Sequence, residues 1–140
     1  MSVDCFLDTN VLVYAAAGRG GEEAKRRRAL DLIEKENFGL SAQVLQEFYV
    51  AVTRKIAVPL RPDEALEWIE QFEVFPCAAI DRSLVKIAAE TSERYGISYW
   101  DGAIVAAAEA LGAGTLYTED LNNGQKYGAV RARNPFAVAE

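Results

Sequence analysis

The sequence predicts an α/β fold, a mainly parallel sheet with helices on both of its faces. Three observations predict it. Short apolar runs alternate with longer amphipathic segments along the chain. Those apolar runs are continuous, as in strands buried on both sides. No internal repeat, low-complexity tract or linker breaks the alternation. With 140 residues, 51% of them hydrophobic, residues 1–140 suit one domain that buries a core without disulfides or a structural metal.

Each element has a local reason. Residues 3–7 form an apolar run ending at Asp8, the mark of a buried parallel strand. Asn10 is placed to cap a short helix over residues 11–17, and residues 18–21 make a Gly-rich turn. A helix is expected from Glu22 to about Glu36, with Glu22 and Glu23 in the first turn, where the helix dipole favours acids. Residues 38–40 suit a second strand, and Ser41 caps a helix reaching about Ile56. Val44, Leu45, Phe48 and Val52 recur there at helical spacing. Residues 62–72 form another helix, and residues 74–77 a strand that Pro76 ends or confines to an edge. Asp81 caps a helix over residues 82–95, which Gly96 stops. Ser98 opens the next helix and Gly112 closes it. Residues 114–118 form a strand, and one further edge strand is possible around Val130, so four or five strands are expected.

The chain contains no histidine. That excludes Ser–His and Cys–His nucleophile systems, His-ligated zinc and an imidazole base. Cys5 and Cys77 are too few for a disulfide framework or a four-thiolate site. The longest purely apolar stretch, residues 103–108, is too short to cross a bilayer, and no secretion signal is visible. The expected setting is soluble and cytoplasmic, with no membrane partner. The net charge of −6 argues against adhesion to nucleic acid through overall charge. A nucleic-acid partner then needs a local basic surface or a bound cation.

In parallel α/β sheets, functional groups gather beyond the carboxyl ends of the strands. Here those ends carry acids. Asp8 follows the first strand, and Glu119 and Asp120 follow the strand at 114–118. Asp101 lies in the first turn of an Ala-rich helix. Glu47 falls about 60° to one side of Val44, at the border of a buried stripe. Asp101 could instead complete a capping box on Ser98, and Glu47 could simply reach water. One common site accounts for all four acids together. Clustered carboxylates repel, and a divalent ion relieves the repulsion. Oxygen donors without His or thiolate select a hard ion, Mg²⁺ or Mn²⁺. Such an ion supports phosphodiester hydrolysis without histidine.

At FLDTNVLVYA, SAQVLQEFYVAVTRK, ISYWDGAIVAAA, LYTEDLNNGQ and a late NPF, the chain resembles the PIN-domain ribonucleases. It is most similar to the VapC-type toxins of toxin–antitoxin pairs. The resemblance implies a three-layer α/β/α, Rossmann-like fold and Mg²⁺- or Mn²⁺-dependent cleavage of RNA. It implies Asp8, Glu47, Asp101 and Asp120 as the acidic set, with Asp8 and Asp101 as direct metal ligands. Thr9, Asn10 and Thr118 match the orienting positions. Glu119 and Asp120 compete for the fourth acid, and the T-x-D spacing favours Asp120. A homodimer and a small antitoxin that blocks the cleft are the implied protein partners.

Other features have two readings. Lys25 to Arg28 could grip phosphates or form a solvated face paired with Glu22, Glu23 and Asp31; Arg54-Lys55, Arg131 and Arg133 are equally open. Tyr99 and Trp100 could stack on a base or pack in a core or dimer. Trp68, Phe72 and Phe75 suit the core better than a docking groove. Two alternatives compete with the nuclease: a non-catalytic binding module of the same fold, and a receiver-like signalling domain. The second lacks an acceptor Asp directly after residues 74–77.

Overall fold

The structure, a computed structural model, describes residues 2–18 and 21–137. In chain order the elements are β1 (Cys5–Leu7), α1 (Thr9–Ala17), α2 (Glu23–Lys35), β2 (Phe38–Ser41), α3 (Ala42–Val50), a π-helical turn (Ala51–Lys55), α4 (Pro62–Phe72), β3 (Cys77–Ala78), α5 (Arg82–Tyr95), α6 (Tyr99–Ala110), β4 (Thr115–Tyr117), β5 (Lys126–Tyr127) and β6 (Val130–Arg133). The strands form one sheet in the order β3-β2-β1-β4-β6-β5. Every pairing is parallel except β5 with β6.

From β1 the chain moves outward to β2 and β3, then crosses back to β4 on the other side of β1. Right-handed crossovers therefore put the helices of the first excursion on one face and α5 and α6 on the opposite face. The packing agrees. α6 lies against β2, β3, β4 and β6 with α5 stacked on it, while α1 packs with α2 and α3, and α3 carries α4. Strand order reverses between β1 and β4, which makes the crevice beyond their carboxyl ends the switch point of the sheet. Phe6, Leu7, Leu12, Phe38, Leu40, Phe48 and Leu116 are fully buried around it. Each such side chain contributes roughly 1.5–3 kcal/mol by leaving water.

The structure corrects several details. The sheet has six strands rather than four or five. The extra strand comes from a hairpin. β5 and β6 are joined by a two-residue turn in which Gly128 takes φ +63°, a left-handed conformation glycine accepts without cost. β6 is thus an inner strand, and β5 forms the edge. Asp8, not Asn10, caps α1: its side chain accepts from the Thr9 amide. The long helix expected to reach Ile56 is α-helical only to Val50 and then widens into the π turn. The third strand shrinks from residues 74–77 to Cys77–Ala78. Of the turn expected at residues 18–21, Arg19 and Gly20 lie outside the described residues. Trp68, Phe72 and Phe75 pack into the core as expected, with Phe75 on Phe38 and Trp68 on Phe72.

α5 and α6 meet over small residues. Ala88, Ala103 and Ala106 are buried between them. A Cβ on Gly102 would stand 2.6 Å from the Ala88 carbonyl oxygen and 3.0 Å from the Ser92 Cβ and amide nitrogen. Backbone cannot yield as a flexible side chain can. Gly102→Ala should therefore lower the unfolding free energy by about 1–3 kcal/mol through overpacking, despite alanine's better helix propensity. Urea denaturation checks this. Unchanged or higher stability would mean the helices have room to separate.

Candidate functional site

The site is built outward from Asp8. β1 runs in register with β4, Leu7 opposite Tyr117, and the Asp8 amide donates to the Tyr117 carbonyl at 3.0 Å. The ladder thus delivers Asp8 beside Thr118. Asp8 is only 5% exposed. Its Oδ1 accepts from the Thr9 amide at 2.7 Å, and its Oδ2 accepts from the Thr118 hydroxyl at 2.7 Å. Thr118 Oγ1 in turn accepts from the Asp120 amide at 3.0 Å. One buried hydroxyl therefore fixes the Asp8 carboxylate and the backbone that carries Asp120.

Glu47 is brought in by α3. The Thr9 hydroxyl donates to its Oε1 at 2.8 Å, so one residue holds the two acids: the Thr9 amide holds Asp8 and its side chain holds Glu47. Gln43, one turn earlier, donates through Nε2 to Glu47 Oε2 at 3.4 Å and to the Trp100 carbonyl at 3.2 Å. That pair of bonds ties α3 to the first turn of α6, where Asp101 sits. Ser98 Oγ accepts from the Asp101 amide at 3.0 Å. This is one half of the capping box; the Asp101 carboxylate makes no return bond to the Ser98 amide among the described residues.

Asp8, Thr9, Asn10, Glu47 and Asp120 line one open cavity of about 430 Å³, together with Gln46, Val50, Ala51 and Lys55. Asp101 does not line this cavity; it is linked to it through the Gln43 bond to the adjacent Trp100 carbonyl and through its charge on Glu47 and Asp120. Partial burial pushes the Asp101 carboxyl up and the Glu47 charge adds to that, while a Ser98 hydrogen bond opposes it. Asp120 is pushed up by partial desolvation, then by Asp101, Glu119 and Glu47. Asp8 shows the largest effect. Burial raises it to about 6, with Asp120 and Glu47 adding to the rise and the Thr118 and Thr9 bonds opposing it. The four acids therefore share one field, although they come from four separate parts of the chain.

Glu119 does not join them. Its Oε1 accepts from the Tyr14 hydroxyl at 2.9 Å and its Oε2 from Lys25 Nζ at 3.0 Å. Lys25 also lies over the Tyr14 and Phe136 rings. The basic run on α2 is thus partly spent on Glu119, not on the expected Glu22 and Glu23; Arg28 pairs with Asp31 as expected. Between the two competing residues, Asp120 is the one that faces Asp8 and Glu47 across the cavity.

A hard divalent ion fits this donor set. All the candidate donors are oxygens, and the carboxylates raise one another's pKa, which is the repulsion a cation relieves. Among the described residues no three carboxylates stand in ligating geometry as drawn.

A family model described as PIN domain matches residues 5–126. The chain belongs to the PIN domain family. No curated protein matches it in sequence. Solved structures similar to this PIN domain include a toxin–antitoxin complex from Klebsiella pneumoniae, with a TM-score of 0.71 and 17% identity over 96% of this chain and 100% of that one. Another is VapC20 of Mycobacterium tuberculosis, a toxin that cleaves the sarcin–ricin loop, with a TM-score of 0.66 and 18% identity over 84% of this chain and 90% of that one. A third is VapBC2 of Rickettsia felis bound to a fragment of its promoter DNA, with a TM-score of 0.61 and 18% identity over 93% and 97%. At these identities the likeness is one of fold. The strand order, which sets β3 beyond β2 rather than next to β1, also departs from the 2-1-3-4-5 order of the receiver-like alternative.

Gln43 was not singled out in the sequence as a member of the site, and Lys55 only as one of several basic residues open to a phosphate-gripping reading. Gln43 is a buried amide among apolar residues, and that burial at the border of a helix was the available signal. Trp100 is 63% exposed and set edge-on to Tyr99, so it is no core residue of this chain. No helix among the described residues is long and apolar enough to cross a membrane.

The raised Asp8 carboxyl has a consequence for stability. An unfolded aspartate ionises near 3.8, and the folded one near 6. Between those values the folded state holds more protons, so stability falls as pH rises, and the full cost persists above about 6. A rise of that size corresponds to roughly 3 kcal/mol. In chelator, the melting temperature should fall between about pH 4 and 6.5, and Asp8→Asn should remove most of that slope. An identical slope in the variant would show that Asp8 is not buried in ionised form.

Proposed function

We propose that this PIN domain is a metal-dependent endoribonuclease of the VapC type, the toxin of a toxin–antitoxin pair. The single observation that carries the reading is the convergence of Asp8, Glu47, Asp101 and Asp120 at the switch point of a PIN fold. Solved toxin–antitoxin complexes of the same fold support it, as does the likeness to VapC20, a toxin that cleaves the sarcin–ricin loop. The partners in this reading are an RNA substrate, a small antitoxin and a second copy of the chain, all in the cytoplasm.

Asp8 and Asp101 would hold Mg²⁺ or Mn²⁺ directly, with Asp120 and Glu47 completing the site or holding a second ion. When bound, the ion supplies Lewis acidity, making water a better nucleophile and offsetting charge on the phosphate. Glu47 orients the attacking water and accepts its proton; the Thr9 hydroxyl keeps that carboxylate turned toward the cavity. Thr118 holds Asp8 so that its charge stays aimed at the same space. Cleavage on this pattern leaves a 5′-phosphate and a 3′-hydroxyl.

The test is an RNA-cleavage assay with and without chelator on the wild type and Asp8→Asn. Cleavage should need Mg²⁺ or Mn²⁺ and should fall more than about 100-fold in the variant. The same ions should raise the melting temperature of the wild type by binding the folded state alone, and do so far less in Asp8→Asn. Cleavage that survives chelator or the substitution would overturn the reading. A metal response without cleavage of any RNA would favour the non-catalytic binding module.

A further inference from the structure

Lys55 stands out in the acidic cavity. It lines the same wall as Asp8, Thr9, Asn10, Glu47 and Asp120, and it is the one basic side chain among the residues lining that cavity. Its exposed side chain has no ion pair within 4.0 Å among the described residues. It is therefore near the acids without being consumed by them. A lysine that merely neutralised the cluster would close onto Glu47 or Asp120.

The π turn explains how it gets there. In an α-helix, four residues overshoot a full turn by about 40°, so Ala51 stands about 40° around the axis from Glu47. A second α-helical step would carry Lys55 about 80° away, off the cavity wall. The π turn over Ala51–Lys55 is wider, advancing each residue by roughly 80° rather than 100°. Four such steps fall back by about 40°. Lys55 is thereby brought back to the line of Glu47, and Glu47, Ala51 and Lys55 all line the cavity. Such wide turns are frequent at functional sites.

We propose that Lys55 is a substrate-positioning residue that binds an RNA phosphate next to the scissile one. The inference rests on the nuclease reading above and deepens it. A single-stranded polyanion entering a cavity walled by carboxylates needs a fixed counter-charge outside the metal site. Lys55 offers one at the rim, on the same line as Glu47. Lysine suits the task, since its ammonium is a compact charge with three donors and binds phosphate from many directions.

The experiment compares wild type, Lys55→Met and Lys55→Arg in full-length protein. KM and kcat are measured with a short single-stranded RNA in Mg²⁺, and binding of the same RNA in chelator, where cleavage stops, is followed by anisotropy across salt concentration. Lys55→Met should raise KM about tenfold with kcat little changed, and should reduce the salt slope of binding by about 0.7, the loss of one phosphate contact on a single strand. Lys55→Arg should restore both. The melting temperature should not move, because the side chain is exposed. Equal KM and equal salt slope in Lys55→Met would overturn the inference. So would a stronger Mg²⁺-induced rise in melting temperature with KM unchanged, which marks an internal counter-ion instead. If the wild type fails to cleave RNA, the nuclease reading fails, and the binding slope still decides the role of Lys55: equal slopes, or no binding by the wild type, overturn it.

Discussion

A carboxylate buried at the end of a parallel strand is the constraint around which the structure is arranged. Asp8 continues an apolar strand into the protein interior, where an isolated charge is costly. It persists there because two donors meet it at 2.7 Å, one from the first turn of α1 and one from the end of β4. The same residue is the cap that starts α1. Strand end, helix start and site are therefore one feature, and moving any of them would disturb the others.

The compensation is incomplete, and its remainder falls on the neighbours. Glu47 and Asp120 push Asp8 up in addition to burial, and Asp101 and Glu47 do the same to Asp120. Hydrogen bonds from Thr9, Thr118 and Gln43 hold the backbone and side chains against that repulsion. A fold selected only for stability would replace these acids with apolar or paired groups. They lie instead at the switch point, where α/β sheets place ligands. Glu119 illustrates the other outcome. Adjacent to Asp120 in sequence, it turns to Lys25 and Tyr14 instead and becomes a strut for the loop.

The acids were legible because each breaks a local pattern. Asp8 ends an apolar run, Asp120 follows a strand with a T-x-D spacing, and Glu47 borders a stripe otherwise made of Val44, Phe48 and Val52. Such breaks are local, so they can be read without coordinates. Gln43 and Lys55 break no pattern of that kind. Gln43 acts between α3 and α6, elements distant in sequence. Lys55 reaches the cavity only because the helix changes pitch after Val50, and helical periodicity assumes a constant pitch. Asn10 was displaced as cap because the residue two places earlier was better placed to accept from the first free amide.

By itself the sequence determined the α/β class, the alternation of strand and helix and most element positions, which rest on composition, periodicity and local capping, and it singled out the four acids through strand ends and motif resemblance. Tertiary structure alone decided the strand order, the sixth strand and its hairpin, the turn of Glu119 toward Tyr14 and Lys25, and the alignment of Lys55 with Glu47. Those outcomes depend on which distant segments pair and on small changes in backbone pitch. No window of neighbouring residues contains that information, since the energies that settle it are contacts between parts of the chain that the sequence holds far apart.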